Sequence, residues 1–176
     1  MSSIAKFENT IGGWLKPLPH LPEAGRKWLA ENIWWIALVG LILSVIGMVM
    51  LIGTIIVAFP FIFGTATIIS YYSATAYTGF WMVSSVVSLI FMIATVVITA
   101  MAISPLKKRI KKGWDLMFIT LIIGGLSAVL SAIINFNVLN FVPSIIFAAL
   151  GLAIGSYFLY EIRSFFDTTV VVKKTK

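Results

Sequence analysis

The chain has 176 residues, of which 60% are hydrophobic and 11% charged, and its mean hydropathy is +1.06. A soluble domain is about 45–50% apolar and about 25% charged; here the apolar excess comes in runs of roughly 20 residues or more, which excludes an ordinary soluble core. The 13 Lys+Arg and 6 Asp+Glu give a net charge of +7, but the charges lie outside the apolar runs. Membrane topology and anionic headgroups therefore account for them, and no nucleic-acid partner is expected. Cysteine is absent, which removes disulfides, thiolate nucleophiles and Cys-bound metals.

At the N-terminus, Ser3 can cap a short helix. Ile4, Phe7, Ile11, Trp14 and Leu15 recur every three to four residues and form one apolar face, with Lys6, Glu8 and Asn9 elsewhere. This is an amphipathic helix expected in the membrane interface, with docking on the protein's own bundle as the alternative. Pro17, Pro19 and Pro22 then impose an extended linker. His20, the one histidine, has no ligand set around it in the sequence, so no metal site is expected. Residues 1–32 thus read as a cytoplasmic arm, in which Glu23 to Asn32 feeds a helix into the first span. No cleavable signal peptide is expected, because the first apolar run starts near Ile33 and is too long for one.

Four spans follow, at about 33–59, 79–103, 116–134 and 143–160. Trp34 and Trp35 mark one interface of the first, and Pro60 is expected to end or kink it. The uncharged stretch 61–78 reads as an external loop hugging the membrane, with room for one short interfacial helix, a re-entrant loop being the alternative. Ser104-Pro105 reads as a helix start, Gly113 as the end of the basic segment, and Asp115 as the cap of the third span. Residues 135–140 form a short external turn, Pro143 opens the fourth span, and 167–176 is a basic tail.

The segment Lys107, Lys108, Arg109, Lys111 and Lys112 orients the whole. With four spans and both termini inside, every Lys, Arg, Asp and Glu falls on the cytoplasmic side, whereas three or five spans would split the basic clusters. The fold class is therefore an all-α, integral membrane four-helix bundle, N-in/C-in. The same five residues are the candidate contact for anionic lipid headgroups. Asp115, Glu161 and Arg163 are a candidate polar cluster at the cytoplasmic face, where the third and fourth spans meet at one level.

Each span also carries a stripe of small residues. The candidate packing seam comprises Gly40, Ser44 and Gly47; Ser84 and Ser88; Gly124 and Ala128; and Gly151 and Gly155, a GxxxG pair. Small residues let helix backbones approach where lipid removes the hydrophobic drive to associate. The seams suggest four helices around a shared axis, or a homo-oligomer through the GxxxG pair.

No ionisable residue lies in the central parts of the spans, which argues against a pump or ion-coupled transporter. There is no G-x-S-x-G, P-loop, G-x-G-x-x-G or H-E-x-x-H pattern. No enzyme activity and no cofactor are expected. The function expected is a non-enzymatic scaffold, accessory or partner-binding role, with lipid, a second copy or another membrane protein as the partner. The alternative is a small channel or carrier for a neutral or lipidic solute, motivated by the Ser/Thr stripe of the second span (Ser84, Ser88, Thr95, Thr99).

KKRIKKGWDL at 107–116 and YFLYEIRSFF at 157–166 resemble a family of small bacterial four-span membrane proteins with no assigned function. That family carries a basic loop ending in Lys-x-Gly-Trp-Asp/Asn and a last span ending in Ile-Arg-Ser-aromatic. The resemblance is strongest in the second half of the chain. It implies a bacterial inner-membrane location and brings no activity or site residues.

Overall fold

A computed structural model describes residues 10–15, 17–64, 74–134 and 138–166. Within them the chain is helical, with no strand. The long helices are α1 (Glu23–Gly64), α2 (Ala74–Lys107), α3 (Lys111–Ile134) and α4 (Val138–Glu161), followed by a 3-10 turn at Arg163–Phe165. All four are long and apolar enough to cross a membrane, as an integral membrane protein requires. Most of their large apolar side chains face outward, Val39, Leu43, Val49, Phe147 and Ile154 among them. Such a surface is stable against lipid and not against water.

Several boundaries differ from the sequence reading, for a common reason. In lipid a broken helix leaves backbone groups with no water to bond, so helices persist through residues that would stop them elsewhere. Pro60 lies inside α1, which continues to Gly64. Pro143 lies inside α4, which begins at Val138. Residues 61–64 and 74–78, read as loop, are helical; 65–73, with the re-entrant alternative, lies outside the described residues, as do 1–9, 135–137 and the tail 167–176.

The α2–α3 connection is the second correction. Ser104-Pro105 does not start a helix: it lies in the last turns of α2, which runs to Lys107. Ile110 N–H donates to the Pro105 carbonyl (2.9 Å) and Arg109 N–H to the Leu106 carbonyl (2.9 Å), while Arg109 takes a positive φ of 53°. This six-to-one and five-to-two pair is a Schellman motif, with an arginine at the left-handed position usually held by glycine. It reverses the chain within 108–110, so α3 starts at Lys111. Gly113 and Asp115 are consequently inside α3, and Asp115 is not its cap.

Gly113 has another task. A Cβ there would lie 2.6 Å from Leu106 N and 2.9 Å from the Pro105 carbonyl carbon, so the backbones of α2 and α3 touch at this point. The extensive helix–helix interfaces are α1–α2, α2–α3 and α3–α4, each between chain neighbours, with no comparable α1–α4 interface among the described residues. The extensive interfaces thus run between chain neighbours, while at one end residues of all four helices share a single core cluster.

The stripes account for part of the contacts. Gly47 meets Met92, Ser88 Oγ lies 3.4 Å from Ser131 Oγ, and Gly155 packs on Leu121. Ser84 is buried. A Cβ at Gly40, Gly124 or Gly151, however, would meet nothing within 4 Å, and the Ser44 hydroxyl donates to its own helix at the Gly40 carbonyl. On α3 it is Gly125, one residue along, that meets Leu152. Ala128 is half-buried.

The tight core gathers at one end, where α2 stops, α3 starts and α4 stops. It comprises Ala30, Ile33 and Ala37 of α1, Ala102 and Leu106 of α2, Trp114 and Phe118 of α3, and Leu159, Ile162 and Phe166 at and beyond the end of α4. This basic end carries the candidate site.

Candidate functional site

Trp114 sits at the centre of the basic end and is fully buried, at 0% exposure. Its indole N–H donates to the Leu159 carbonyl at 2.7 Å, which satisfies both the ring and a carbonyl of α4's last turn. Phe118 stacks on it with centroids 5.4 Å apart, and Tyr160 meets its edge, also at 5.4 Å. The Arg163 guanidinium lies 5.5 Å from the Trp114 ring centroid, a cation–π placement.

The N-terminal arm closes over this assembly. Ile11 packs against the core, and Gly12 lies so close to Tyr160 that a Cβ would be 2.9 Å from the ring, whereas Trp14 is 72% exposed. The Pro-rich linker is pinned at three points. Tyr157 O–H donates to the Pro19 carbonyl (2.6 Å), Leu21 N–H donates to Glu161 Oε2 (3.1 Å), and His20 Nδ1 lies 2.6 Å from Glu161 Oε1. Glu161, with a side chain only 4% exposed, is therefore a buried carboxylate held by the arm, and Arg26 Nε stands 3.9 Å away.

Between arm and helix ends lies a cleft of about 690 Å³. Leu15, Trp114, Tyr157, Tyr160 and Phe166 supply its apolar lining, and His20, Arg26, Lys111, Glu161, Arg163 and Ser164 its polar lining. Three permanent cations thus face one carboxylate, and that carboxylate already has its partners. Arg26 Nε is buried with no hydrogen bond. A volume of this size suits a small ligand or headgroup.

The basic cluster does not act as one patch. Lys107 lies over the Trp34 ring at 4.9 Å, and Arg109 pairs with Glu31 at 3.1 Å. Lys108 and Lys112 are exposed, and Lys111 alone of the five lines the cleft. Of the candidate polar cluster, Glu161 and Arg163 share the cleft, and Asp115, half-buried on α3, is not among its lining residues.

Sequence reasoning missed His20 and Arg26 as neighbours of Glu161, since nothing local links positions so far apart, 141 residues in the case of His20. One signal was available: Glu161 is the sole acid at the end of an aromatic-rich span, and a carboxylate there needs a donor.

Among the described residues no group of three His, Asp or Glu could hold a metal ion. No protein-family model, no curated protein and no solved structure matches this chain.

Proposed function

We propose that the chain is a non-enzymatic integral membrane protein that serves as a scaffold or accessory subunit by binding a membrane partner. The basic end and both termini face the cytoplasm, in a bacterial inner membrane. The observation that carries this reading is the state of α1. It packs extensively on α2 alone, and none of the most apolar window of this helix is buried within the chain. Gly40 and Gly53 on α1 face open space, so a second helix could approach its backbone closely. The positive-inside rule supplies the orientation, because every charge of the described residues lies at or beyond the basic end.

The alternative carrier reading draws less support. Of the stripe that motivates it, Thr95 Oγ1 donates to the Phe91 carbonyl one turn back in α2, at 2.8 Å, and Ser88 Oγ lies 3.4 Å from Ser131 Oγ, so those hydroxyls are engaged within the protein.

The absence of cysteine makes the test clean. Single cysteines at Gly40 and Gly151 are introduced for oxidative and bifunctional cross-linking in native membranes, with Lys108→Cys and Lys174→Cys as topology reporters. The expected result is a discrete adduct, to a second copy or another protein, from Gly40→Cys, with both reporters labelled from the cytoplasmic side. A monomer with no adduct from either glycine position overturns partner binding; reporters on opposite sides overturn the topology.

A further inference from the structure

We infer that the cleft at the basic end binds the phosphate-bearing headgroup of an anionic phospholipid, held by Arg26, Lys111 and Arg163. The charge argument comes first. The lining carries three permanent cations and one carboxylate, a balance of +2 with His20 neutral. That balance already includes the Glu161 charge, and the two Glu161 oxygens are engaged by His20 Nδ1 and the Leu21 amide, so a net positive field remains toward an incoming anion. The second argument is the exposure of Arg26. Its Nε is closed to solvent beside Glu161, 3.9 Å from Oε2. The side chain as a whole is one-third exposed and lines the cleft, so the rest of the guanidinium can donate to a phosphate oxygen in a charge-assisted bond.

The third argument is location. The cleft lies where the apolar stretches of α2, α3 and α4 end, at Lys107, Lys111 and Phe165. In a membrane this is headgroup depth, so lipid phosphate is present there at a concentration no soluble anion reaches. The aromatic lining from Trp114, Tyr157 and Tyr160 suits the boundary between headgroup and acyl chain. The volume of about 690 Å³ accommodates a glycerophosphate group. The inference rests on the membrane-spanning reading but not on a protein partner, so a negative cross-linking result leaves it standing.

The test uses the full chain in a neutral detergent, titrated with dioctanoyl phosphatidylglycerol, dioctanoyl phosphatidylcholine or inorganic phosphate. Native mass spectrometry gives stoichiometry and tryptophan fluorescence gives affinity. Phosphatidylglycerol is expected to bind saturably, one per chain, at least about tenfold more tightly than phosphatidylcholine. The pair K111Q/R163Q should weaken it about tenfold or more, as loss of charge-assisted bonds implies. The pair K108Q/K112Q removes the same charge outside the cleft and should change affinity less than about twofold. K111E alone carries the same test should K111Q/R163Q fail to fold. Equal effects of the two pairs, equal binding of both lipids, or phosphate alone binding as tightly as phosphatidylglycerol would each overturn the inference.

Discussion

Replacing Gly113 by alanine tests whether the α2–α3 contact is as close as it looks. The added methyl carbon would sit 2.6 Å from Leu106 N, 2.9 Å from the Pro105 carbonyl carbon and 3.0 Å from Leu106 Cα. All three are backbone atoms in the last turn of α2, so no rotamer change relieves the clash. Ordinary contact begins at 3.4 Å, and the two backbones must therefore part by about 0.8 Å. Inserting a methyl into a packed site costs about 1–3 kcal/mol, and a rigid neighbour puts Gly113 in the upper half of that range. Alanine's better helix propensity returns about 1 kcal/mol. The net expectation is a loss of about 1–2 kcal/mol, or a fall of roughly 2–8 °C in melting temperature. Thermal unfolding in detergent, followed by tryptophan fluorescence, measures it. Gly40→Ala, Gly124→Ala and Gly151→Ala are the controls, since a Cβ there meets nothing. They should be neutral or stabilising by up to about 1 kcal/mol. A Gly113→Ala protein that melts at or above the parent would refute the close approach.

Trp114→Phe keeps an aromatic side chain but is smaller and removes the donor to Leu159, and should cost at least about 1–3 kcal/mol by leaving a buried carbonyl short of a partner and the indole's volume unfilled; thermal unfolding reads it. Arg109→Gly relieves a left-handed residue by about 1 kcal/mol and gives up a half-exposed pair with Glu31. Such pairs are worth about 0.2–1 kcal/mol, so this variant should melt at or slightly above the parent and Arg109→Ala about 1 kcal/mol below Arg109→Gly. Glu161→Gln keeps the shape but loses the charge that holds His20 and the Leu21 amide. The arm should then open, and trypsin should cut at Arg26 or Lys27, at the start of α1, several times faster while the rest of α1 and the other three long helices stay intact.

How far the residues alone reached follows from what each signal encodes. Apolar run length is a one-dimensional property, and it places four helices where α1 to α4 stand. Boundaries were harder because Pro60 reads as a breaker and Pro105 and Pro143 as helix starts by rules calibrated in water, whereas here the chain stays helical across all three. Composition names small residues but not the facing direction. Gly124 and Gly125 differ by about 100° around the helix, and only contact with Leu152 tells which one packs. In the candidate site, Glu161 and Arg163 were legible as charges at a span end. Their company was not: His20 and Arg26 arrive through the fold of a proline-rich arm whose sequence states extension, not destination.

The uneven distribution of packing has a physical origin that bears on where function can reside. Through the apolar depth of the helices, lipid tails solvate Leu and Ile as well as a neighbouring helix does, so contacts there rest on a few close approaches, Gly125 on Leu152 and Gly155 on Leu121. At the basic end the chain meets water, apolar burial is again favourable, and there the large side chains Trp114, Phe118, Leu106 and Ile162 are fully enclosed. That enclosure fixes the ends of α2, α3 and α4 relative to one another, which a site built from residues on several elements requires. Arg26 comes from α1, Lys111 from α3, Arg163 from beyond α4 and His20 from the arm, and the Trp114 core is the body they share. Loosening that core should therefore weaken ligand binding in the cleft even where every cleft cation is kept.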